Sequence, residues 1–488
     1  MSWRNIKRSN EVIAEDNTKN QQQITDMTAR FKVMHKQSRQ QITVDWQTRV
    51  NRLERLEKMV VDNQDEISIA ISQDFGYRSP SETTMLEVFP TLEGIRYSKK
   101  HGKEWMKPKK VATGKWFLPA TSYVQKQPLG VVGIISPWNY PLYLAAGPLT
   151  AAFVAGNRAM LKTSEFTPNF NQWLAKTLPN YFSADELCFI NGGVEIAQAF
   201  SALPFDHLLF TGSTAVGRHI MRAAASNLTP VTLELGGKSP VVITDSASLE
   251  KAVNRIWTGK LMNAGQTCIS PDYLLLPTGL EQKFLQLSYQ WVSKHYPNIA
   301  KNPDFSYLVN QRQFDRVLGY LEQAEQTGAD INILGEVEPD AKTGFMPPMV
   351  VTNLVDDTKL LTEEIFAPVL PVVAYKSIED AIDYINKRPR PLALYVFGED
   401  DKINDKVVAN TVSGGVSIND TIFHIAQHGL PFGGVGDSGM GNYHGQYGFD
   451  TFTHEKGVFK QAKINFVDML QPPYGKVFDK LMQVAKKL

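Results

Sequence analysis

The residues best suited to chemistry surround Cys268 in the segment NAGQTCISPDY (263–273). The thiol has small and polar neighbours: Gly265, Gln266, Thr267 and Ser270. A nucleophilic cysteine needs access and a polar environment, so this setting favours a reactive thiol. The competing interpretation is a buried structural thiol, which is the more common case. The second cysteine, Cys188, lies in the apolar run DELCFING and is predicted to be inert packing.

A second candidate is Glu234, which stands between two leucines and before two glycines in TLELGGKSP (232–240). Burying a carboxylate among apolar residues is costly unless the group is paired or functional. Burial would raise its pKa toward neutrality and make it a general base. An exposed glutamate at a strand end, followed by a glycine turn, fits this segment equally well.

The segment LFTGSTAVG (209–217) reads as an apolar strand, a glycine turn and a helix. Gly212 makes the turn, Ser213 is a plausible N-cap, and Gly217 falls in the first helical turns. This layout presents a helix N-terminus to a pyrophosphate. The spacing is not the G-x-G-x-x-G fingerprint, and an ordinary strand-to-helix turn would use the same residues.

A polar amide and three charged residues also stand near predicted strand ends. Asn139 lies in the proline-bounded loop SPWNYP, where a rigid amide could donate to an oxyanion or simply satisfy the loop backbone. Lys162 and Glu165 follow a strand in LKTSEFTP, within reach of ribose hydroxyls. Glu364 and Phe366 precede a strand in EEIFAPVLPVV.

Short apolar runs alternate with helical segments along most of the chain, which predicts an α/β protein with parallel, doubly wound sheets. Since 488 residues exceed what one core supports, more than one domain is expected. The predicted strands fall into two groups, the second beginning after Leu235: 130–136, 157–162, 187–192 and 207–212, then 239–245, 273–279, 349–354, 369–375 and 391–398.

The segments outside these two groups are simpler. Residues 1–26 are polar and predict a mobile tail or a marginal helix. Helical patterns cover 27–74 and 81–105, and residues 108–127 form an extended excursion rich in proline and aromatic residues. The glycine-dense loop PFGGVGDSGMG (431–441) leaves backbone free to approach other groups closely.

Composition excludes several function classes. The 51 basic and 50 acidic residues nearly cancel, which gives no electrostatic case for nucleic acid or an anionic membrane. The N-terminus has no apolar region of the kind found in secretory signals. Two cysteines are typical of a protein in a reducing cytoplasm. They are too few for a cysteine-rich metal site, and no metal is predicted. The uncharged stretch 127–157 contains four prolines, so it predicts a buried strand, loop and helix rather than an integral membrane segment.

The order of seven motifs resembles the aldehyde dehydrogenase superfamily: PWN, KxxE, FTGSTAVG, ELGGK, GQTC, EEIF and PFGGVG, from Pro137 to Gly436. The resemblance covers nearly the whole chain beyond the N-terminal tail, and the pair ELGGK and GQTC is highly specific. The segments FGGVGDSGMGNYHG and YGFDTFTH are most similar to the class 3 branch, which includes coniferyl aldehyde dehydrogenases.

The resemblance implies a role for each motif residue. Cys268 would attack the aldehyde carbon, and the Asn139 side chain with the Cys268 backbone N–H would hold the oxyanion. Hydride transfer to the nicotinamide would leave a thioester, and Glu234 would deprotonate the water that hydrolyses it. The remaining residues would bind NAD(P): Lys162 and Glu165 the adenosine ribose, Gly212, Ser213 and Gly217 the pyrophosphate region, and Glu364, Phe366 and Trp138 the rest of the cofactor site.

Three further expectations follow from the resemblance. NAD is the expected cofactor, with NADP tolerated, because Glu165 would repel a 2′-phosphate while Lys162 softens that repulsion. Ala367 stands where the family often has glycine; if φ is positive there, alanine would cost about 1–2 kcal/mol. The segment KTSE has the Lys and Glu of the commoner KPSE and differs from it only at Thr163, where the commoner motif has proline.

The resemblance also implies a domain organisation. The cofactor-binding domain would span 27–107 and 128–234, and the catalytic domain 235–413. Residues 108–127 and 414–488 would form a bridging arm and C-terminal tail. Residues 1–26 would be a separate polar N-terminal tail. Such an arm suggests a homodimer.

The predicted substrate is a hydrophobic aldehyde, either aromatic and coniferyl-like or medium-chain aliphatic. Four aromatic residues near the motifs are expected to line the mouth of the site: Trp138, Tyr140, Trp257 and Phe423. The same segments carry no Arg or Lys for a substrate carboxylate, although these aromatic residues would equally suit a core.

Three alternatives remain. An acylating semialdehyde dehydrogenase of this fold would generally lack the glutamate at position 234, and an inactive structural relative would tend to lose the nucleophile or the cofactor residues. The C-terminal run VFDKLMQVAKKL fits an amphipathic helix at a membrane surface, but an ordinary surface helix is the better interpretation.

Overall fold

The computed structural model describes residues 3–465 and 467–486, with side chains from residue 18 except at 467 and 468. In chain order, the helices are α1 (Trp3–Gln40), α2 (Trp46–Asp62), α3 (Gln64–Asp74), α4 (Pro80–Thr83), α5 (Phe89–Trp105), α6 (Tyr143–Ala155), α7 (Pro168–Thr177), α8 (Val194–Ser201), α9 (Thr214–Ala225), α10 (Leu249–Leu261), α11 (Glu281–His295), α12 (Gln311–Gln326), α13 (Lys359–Thr362), α14 (Ile378–Asn386), α15 (Asp401–Asn410), α16 (Gly445–Thr451) and α17 (Lys476–Ala485).

The strands, in the same order, are β1 (Lys109–Val111), β2 (Thr121–Pro128), β3 (Val131–Ile135), β4 (Arg158–Lys162), β5 (Leu187–Ile190), β6 (His207–Thr211), β7 (Val231–Glu234), β8 (Pro240–Ile243), β9 (Tyr273–Pro277), β10 (Asp330–Ile333), β11 (Met349–Thr352), β12 (Val369–Tyr375), β13 (Ala393–Phe397), β14 (Gly415–Ile418), β15 (Gly439–Met440) and β16 (Thr453–Lys460). Each of the nine apolar runs predicted as strands contains one of them.

These strands form three sheets. The first has the order β15-β7-β6-β3-β4-β5 and is parallel except at β15. The second has the order β10-β11-β12-β9-β8-β13-β14 and is parallel except at β10. The third, β1-β2-β16, is antiparallel. The predicted α/β architecture, with two parallel sheets and a small β arm, is confirmed.

The uncharged stretch 127–157 forms the centre of the first sheet's core. All five residues of β3 are buried, and α6 is buried along nearly its whole length even though it contains Pro148. Helix α6 ends at Gly156, whose φ of 92° is left-handed and suits glycine. The segment is therefore the strand, loop and helix that its prolines predicted.

Of the two alternatives predicted for the N-terminal segment, a mobile tail or a marginal helix, the structure has the helix: α1 begins at Trp3 and continues without a break to Gln40. Its second half is anchored by Met27, Phe31 and Met34, which are buried in a core cluster with β3 and β5. Before Met27, the Asn20 side chain donates to Glu195 at 2.7 Å. A polar segment that continues a docked helix needs no apolar face of its own.

The segment from residue 414 onward joins all three sheets rather than the arm alone. Strand β14 pairs with β13, β15 pairs with β7, and β16 pairs with β2 along eight residues. Helix α17 includes residues 477–485 of the C-terminal run predicted as a helix, and the last two residues of that run lie outside the described residues. Among the described residues, no helix has both the length and the apolarity needed to cross a membrane.

Candidate active site

The loop that carries Cys268 begins with a left-handed turn after α10. Asn263 and Ala264 both have φ of 53°, and Gly265 has φ of 76°. The left-handed region costs a residue with a Cβ about 1–2 kcal/mol, so this turn needs support from its surroundings. Glycine is required at 265, because a Cβ there would lie 2.5 Å from the Ala367 carbonyl oxygen.

The Gln266 side chain braces this turn from within. Its Nε2 donates to the Asn263 and Tyr307 carbonyls, both at 3.0 Å, and its Oε1 accepts from Val309 N at 2.9 Å. A buried amide with all three of these bonds is well satisfied and fixes the loop in place.

Asn139 lies against the same turn, in the loop between β3 and α6. Its Nδ2 donates to the Gln266 carbonyl at 3.1 Å, while its own carbonyl accepts from Asn263 Nδ2 at 2.9 Å. The amide therefore bonds to the backbone of the cysteine loop, not of its own loop. One N–H of the Asn139 amide is used in this way, and the second is available to a ligand.

A buried ion pair that no sequence motif marks holds the Asn139 loop. Arg78 Nη1 lies 2.6 Å from Glu87 Oε1 and also donates to the Asn139 carbonyl at 3.2 Å. The second Glu87 oxygen accepts from the backbone N–H groups of Leu142 and Tyr143 at 2.7 and 3.0 Å. Both side chains are fully buried, so the pair orients the loop where water cannot compete.

Glu234 ends β7 and is only 3% exposed, which rules out the exposed strand-end interpretation. Its two carboxylate oxygens have no hydrogen-bond partner among the described residues. Burial raises the pKa of Glu234 well above its ordinary value. Next to it, Gly439 packs its backbone directly on β7, where a Cβ would meet the Leu233 carbonyl, as expected for the glycine-dense loop.

One cavity of about 320 Å³ brings most of the predicted site residues together. Its lining includes Trp138, Asn139, Gly212, Ser213, Glu234, Cys268, Glu364 and Phe366. Thr211 also lines it, with a buried hydroxyl that has no partner in the described part of the chain. Lys162, Glu165 and Gly217 lie outside this lining.

The glycine turn before α9 has the predicted form. Ser213 is the N-cap, with its Oγ 3.5 Å from Val216 N. Gly217 is a packing position, because a Cβ there would lie 2.7 Å from Leu235 Cδ2. The glycine thus lets α9 approach the end of β7, so its effect on the cavity is indirect.

Lys162 and Glu165 follow β4 at the same edge of the sheet. The buried Lys162 donates through Nζ to the Thr163 carbonyl at 2.7 Å and lies 3.8 Å from a Glu165 oxygen. Burial lowers the pKa of Lys162, and the Glu165 charge partly opposes this. The two groups form one polar pair at the strand end, beside the cavity.

The loop of Glu364 and Phe366 closes the cavity from the second sheet. Glu364 accepts from Gly237 N at 3.2 Å, and burial raises its pKa to about 8, with a further contribution from the Asp272 charge. The Phe366 ring meets Trp138 edge-on, with centroids 5.5 Å apart. The left-handed residue is Phe366, with φ of 55°, and not Ala367, so the alanine carries no such strain.

A second, smaller cavity of about 30 Å³ lies between α5, α6 and the loop after Phe423. Tyr143, Tyr443 and His444 line it, and His444 Nε2 has no partner within the described residues. Burial raises the pKa of both tyrosines, and a charge on Cys268 contributes to each.

Three of the four aromatic residues expected at the mouth of the site do not line the first cavity. Trp257 is fully buried in the core, and its Nε1 donates to Ser288 Oγ at 2.8 Å. Phe423 is exposed and lines neither cavity. Tyr140 is buried and hydrogen bonds to the Thr267 hydroxyl, and only Trp138 lines the first cavity. A helical aromatic residue is more often core than site, which applies to Trp257.

Comparison with known proteins gives a consistent result. Residues 5–458 match the family model described as "Aldehyde dehydrogenase family". A probable coniferyl aldehyde dehydrogenase of Pseudomonas aeruginosa is 47% identical over 462 residues, covering 95% of this chain and 96% of the relative. Aldehyde dehydrogenase family 3 member A2 of Pongo abelii is 42% identical over 427 residues, covering 87% and 86%.

Solved structures agree. The substrate-bound state of Staphylococcus aureus AldH has a TM-score of 0.89 and 37% identity, covering 94% of this chain and 99% of that chain. The Mycobacterium tuberculosis aldehyde dehydrogenase complexed with NAD+ has a TM-score of 0.76 and 29% identity, covering 86% of each chain.

The charge on Glu364 should control the reactivity of the Cys268 thiol. Burial and the carboxylates of Glu364 and Glu234 raise the thiol pKa. Because Glu364 ionises near pH 8, Glu364→Gln removes a negative charge only above that pH. Alkylation of Cys268 by iodoacetamide, in a Cys188→Ser background, should then be about three- to tenfold faster than in the parent at pH 9, and unchanged at pH 6.5.

Glu363→Gln is the matched control, since Glu363 is the exposed neighbour on the same loop. It should leave the alkylation rate unchanged at both pH values. Equal rates for Glu364→Gln and this control at pH 9 would contradict the electrostatic coupling.

Proposed function

The chain belongs to the aldehyde dehydrogenase family and is an oxidoreductase that acts on an aldehyde; we propose that it does so through a thioester on Cys268. The observation that carries this proposal is the single cavity lined by Cys268, Asn139 and Glu234. A thiol, an amide donor and a buried carboxylate without partners are the groups that acyl formation and hydrolysis require.

In the first half-reaction, the Cys268 thiol loses its proton to solvent water, the thiolate Sγ bonds to the aldehyde carbon, and the carbonyl oxygen becomes an oxyanion. The second N–H of Asn139 and the Cys268 backbone N–H are the donors for that oxyanion. Because the Gln266 carbonyl holds the amide nitrogen at 3.1 Å, the donor is already oriented before substrate arrives. Loss of the aldehyde hydrogen as hydride then leaves a thioester on Sγ.

The second half-reaction is hydrolysis of the thioester. Glu234 accepts a proton from water, the water oxygen bonds to the acyl carbon, and Sγ leaves as a thiolate with release of the carboxylic acid. Because the pKa of Glu234 is raised, its base form is scarce at low pH. Hydrolysis should therefore speed up as pH rises through that pKa.

The first cavity also has the chemistry to hold a nicotinamide dinucleotide. The unpartnered Thr211 hydroxyl, the glycine turn at 212 and the Trp138–Phe366 ring pair face one space. When bound, the cofactor accepts the hydride. We propose NAD as the preferred form, since Glu165 at the neighbouring strand end disfavours a 2′-phosphate by like charge. The NAD+ complex of the M. tuberculosis relative supports this proposal.

The two catalytic alternatives are less well supported. An acylating enzyme has no need of a hydrolytic base, whereas Glu234 lies buried beside Cys268. An inactive structural protein would have no need to retain the full set of polar groups around this cavity.

Two variants should separate the half-reactions. Cys268→Ala should abolish turnover but still bind the cofactor, because other residues build that cavity. Glu234→Gln should release about one equivalent of NADH per site in a rapid burst and then turn over at least about 100-fold more slowly than the parent. Stopped-flow absorbance at the NADH band measures both, with Cys188→Ser as the fully active control.

Substantial turnover by Cys268→Ala would refute covalent catalysis. A Glu234→Gln protein without a burst would show that Glu234 acts before hydride transfer.

For the substrate, we propose a hydrophobic aldehyde, with coniferyl-like aromatic aldehydes ahead of medium-chain aliphatic ones. The relatives described as coniferyl aldehyde dehydrogenases support the first class, and family 3 member A2 is similar to a lesser extent. The first cavity, which Cys268 lines, has Arg316 as its one basic residue among the described residues, and that guanidinium already donates to the Glu364 and Ile365 carbonyls.

A substrate panel tests this class. We expect kcat/KM to be highest for coniferaldehyde, lower for cinnamaldehyde and hexanal, and lowest for acetaldehyde and succinic semialdehyde, with NAD better than NADP. Succinic semialdehyde or acetaldehyde as best substrate would refute the apolar-site proposal.

We also propose a homodimer formed through the arm. The loop before β2 and strand β16 expose Trp116, Phe117, Leu118 and Phe459, each about half accessible. Exposed apolar groups on a three-stranded sheet with open edges favour association with a second copy. Sedimentation equilibrium at micromolar concentration should give twice the chain mass, and a monomer mass would refute the proposal.

A further inference from the structure

A buried carboxylate outside the cavity contacts the cysteine loop. Glu82, in α4, is 6% exposed, and its Oε1 accepts from Asn263 N at 3.0 Å. Its Oε2 accepts from the Ser306 hydroxyl. In the described part of the chain, Glu82 makes no ion pair, because the neighbouring Arg78 pairs with Glu87 instead. A buried carboxylate without an ion pair is costly, so its retention calls for a specific reason.

The bond from Glu82 falls on the residue where the left-handed turn begins. Helix α10 ends at Leu261, and Asn263 and Ala264 then take positive φ. Strained turns of this kind persist only when their surroundings over-determine them. Without an acceptor, Asn263 N–H would be a buried unpaired donor in an already strained turn, which is costly.

The same outer loop clamps both ends of the turn. Ser306 links to Glu82, and its Oγ accepts from Ser79 N at 3.1 Å. One and three residues further on, Tyr307 O and Val309 N bond to the Gln266 side chain. Glu82 holds the N–H of the first residue of the turn, and the Gln266 side chain, just after the turn, holds the carbonyl of that same residue and links it to the outer loop.

We propose that Glu82 is a positioning residue for the thioester chemistry: by fixing Asn263 it sets the place of both Cys268 and the Asn139 amide. Asn263 Nδ2 donates to the carbonyls of Asn139 and Gln266. A shift of Asn263 therefore moves the nucleophile and the oxyanion donor together. The inference rests on the proposed thioester mechanism for its kinetic consequence only.

If Glu82 only stabilised the fold, its removal would lower the stability of the protein and leave the reactivity of the Cys268 thiol unchanged. The Cys268 and Ile269 backbone N–H groups lower the pKa of the Cys268 thiol. If the turn relaxes, these donors leave the sulfur, the thiol pKa rises and fewer molecules carry the thiolate at a given pH. Thiol reactivity is thus a readout that needs neither aldehyde nor cofactor.

The experiment compares three variants in the Cys188→Ser background. Glu82→Ala removes the acceptor, and Glu82→Gln keeps a carbonyl oxygen for Asn263 N. Asp74→Ala is the matched control, because Asp74 is a buried carboxylate that accepts from Asn169 N and Phe170 N at 2.8 and 2.9 Å, at the start of α7. The measurements are the thermal midpoint, the iodoacetamide rate at pH 8.5, the NADH burst rate and the Kd of NAD.

Glu82→Ala should slow alkylation of Cys268 at least fivefold. It should slow the NADH burst about 100-fold, which is the effect of displacing reacting atoms by about 1 Å. The Kd of NAD should not change. Glu82→Gln should stay within about threefold of the parent in both rates. Asp74→Ala should lower the thermal midpoint as much as Glu82→Ala and leave both rates unchanged. Should Glu82→Ala fail to fold, Glu82→Asp, whose shorter side chain withdraws from Asn263, takes its place with the same expected losses.

Parent-like alkylation in Glu82→Ala, or equal losses in Asp74→Ala, would overturn the inference. Substantial turnover by Cys268→Ala would refute the proposed thioester mechanism instead, while the alkylation rates would still decide the role of Glu82.

Discussion

The arrangement of this site depends on one strained segment of backbone, the left-handed turn at residues 263–265. A turn with two consecutive non-glycine residues at positive φ does not persist unless its polar groups are satisfied elsewhere. The protein supplies these partners from distant segments: Glu82, Tyr307, Val309 and the Asn139 loop. Each partner that holds the turn thereby becomes part of the geometry around Cys268.

Desolvation is the second organising effect. Cys268, Glu234 and Glu364 meet at one cavity, and burial raises the pKa of all three. Because the two carboxylates also raise the thiol pKa, the three groups cannot all be ionised at low cost. A bound ligand would change this balance by excluding water and supplying partners for oxygens that have none in the described residues.

The two large sheets contribute to this cavity in different ways. The carboxyl ends of β3, β6 and β7 supply the Asn139 loop, the glycine turn and Glu234, while segments next to the second sheet supply Cys268 and the Glu364 loop. Carboxyl ends of parallel strands gather at one edge, which is where open α/β sheets place their ligands.

Much of this was readable in the sequence because local patterns carry it. Apolar runs predicted nine of the thirteen described strands in the two large sheets, and the polar setting of Cys268 and the leucines around Glu234 marked these residues as candidates. Loop and strand-end positions marked Asn139, Glu364 and Phe366, the family resemblance implied their roles, and the cavity brings all five residues together. Side chains next to strand ends are predictable because the strand itself fixes where they lie.

Only the tertiary structure decided the rest. Trp257 resembled a site residue yet packs in the core, and the polar N-terminal segment is helical from Trp3 because its later turns are docked. The supports of the site are equally invisible in sequence, since Glu82 reaches Asn263 across 181 residues and Arg78 reaches Asn139 across 61. A hydrogen bond between residues that far apart leaves no local periodicity or motif, because its geometry exists only once the chain has folded.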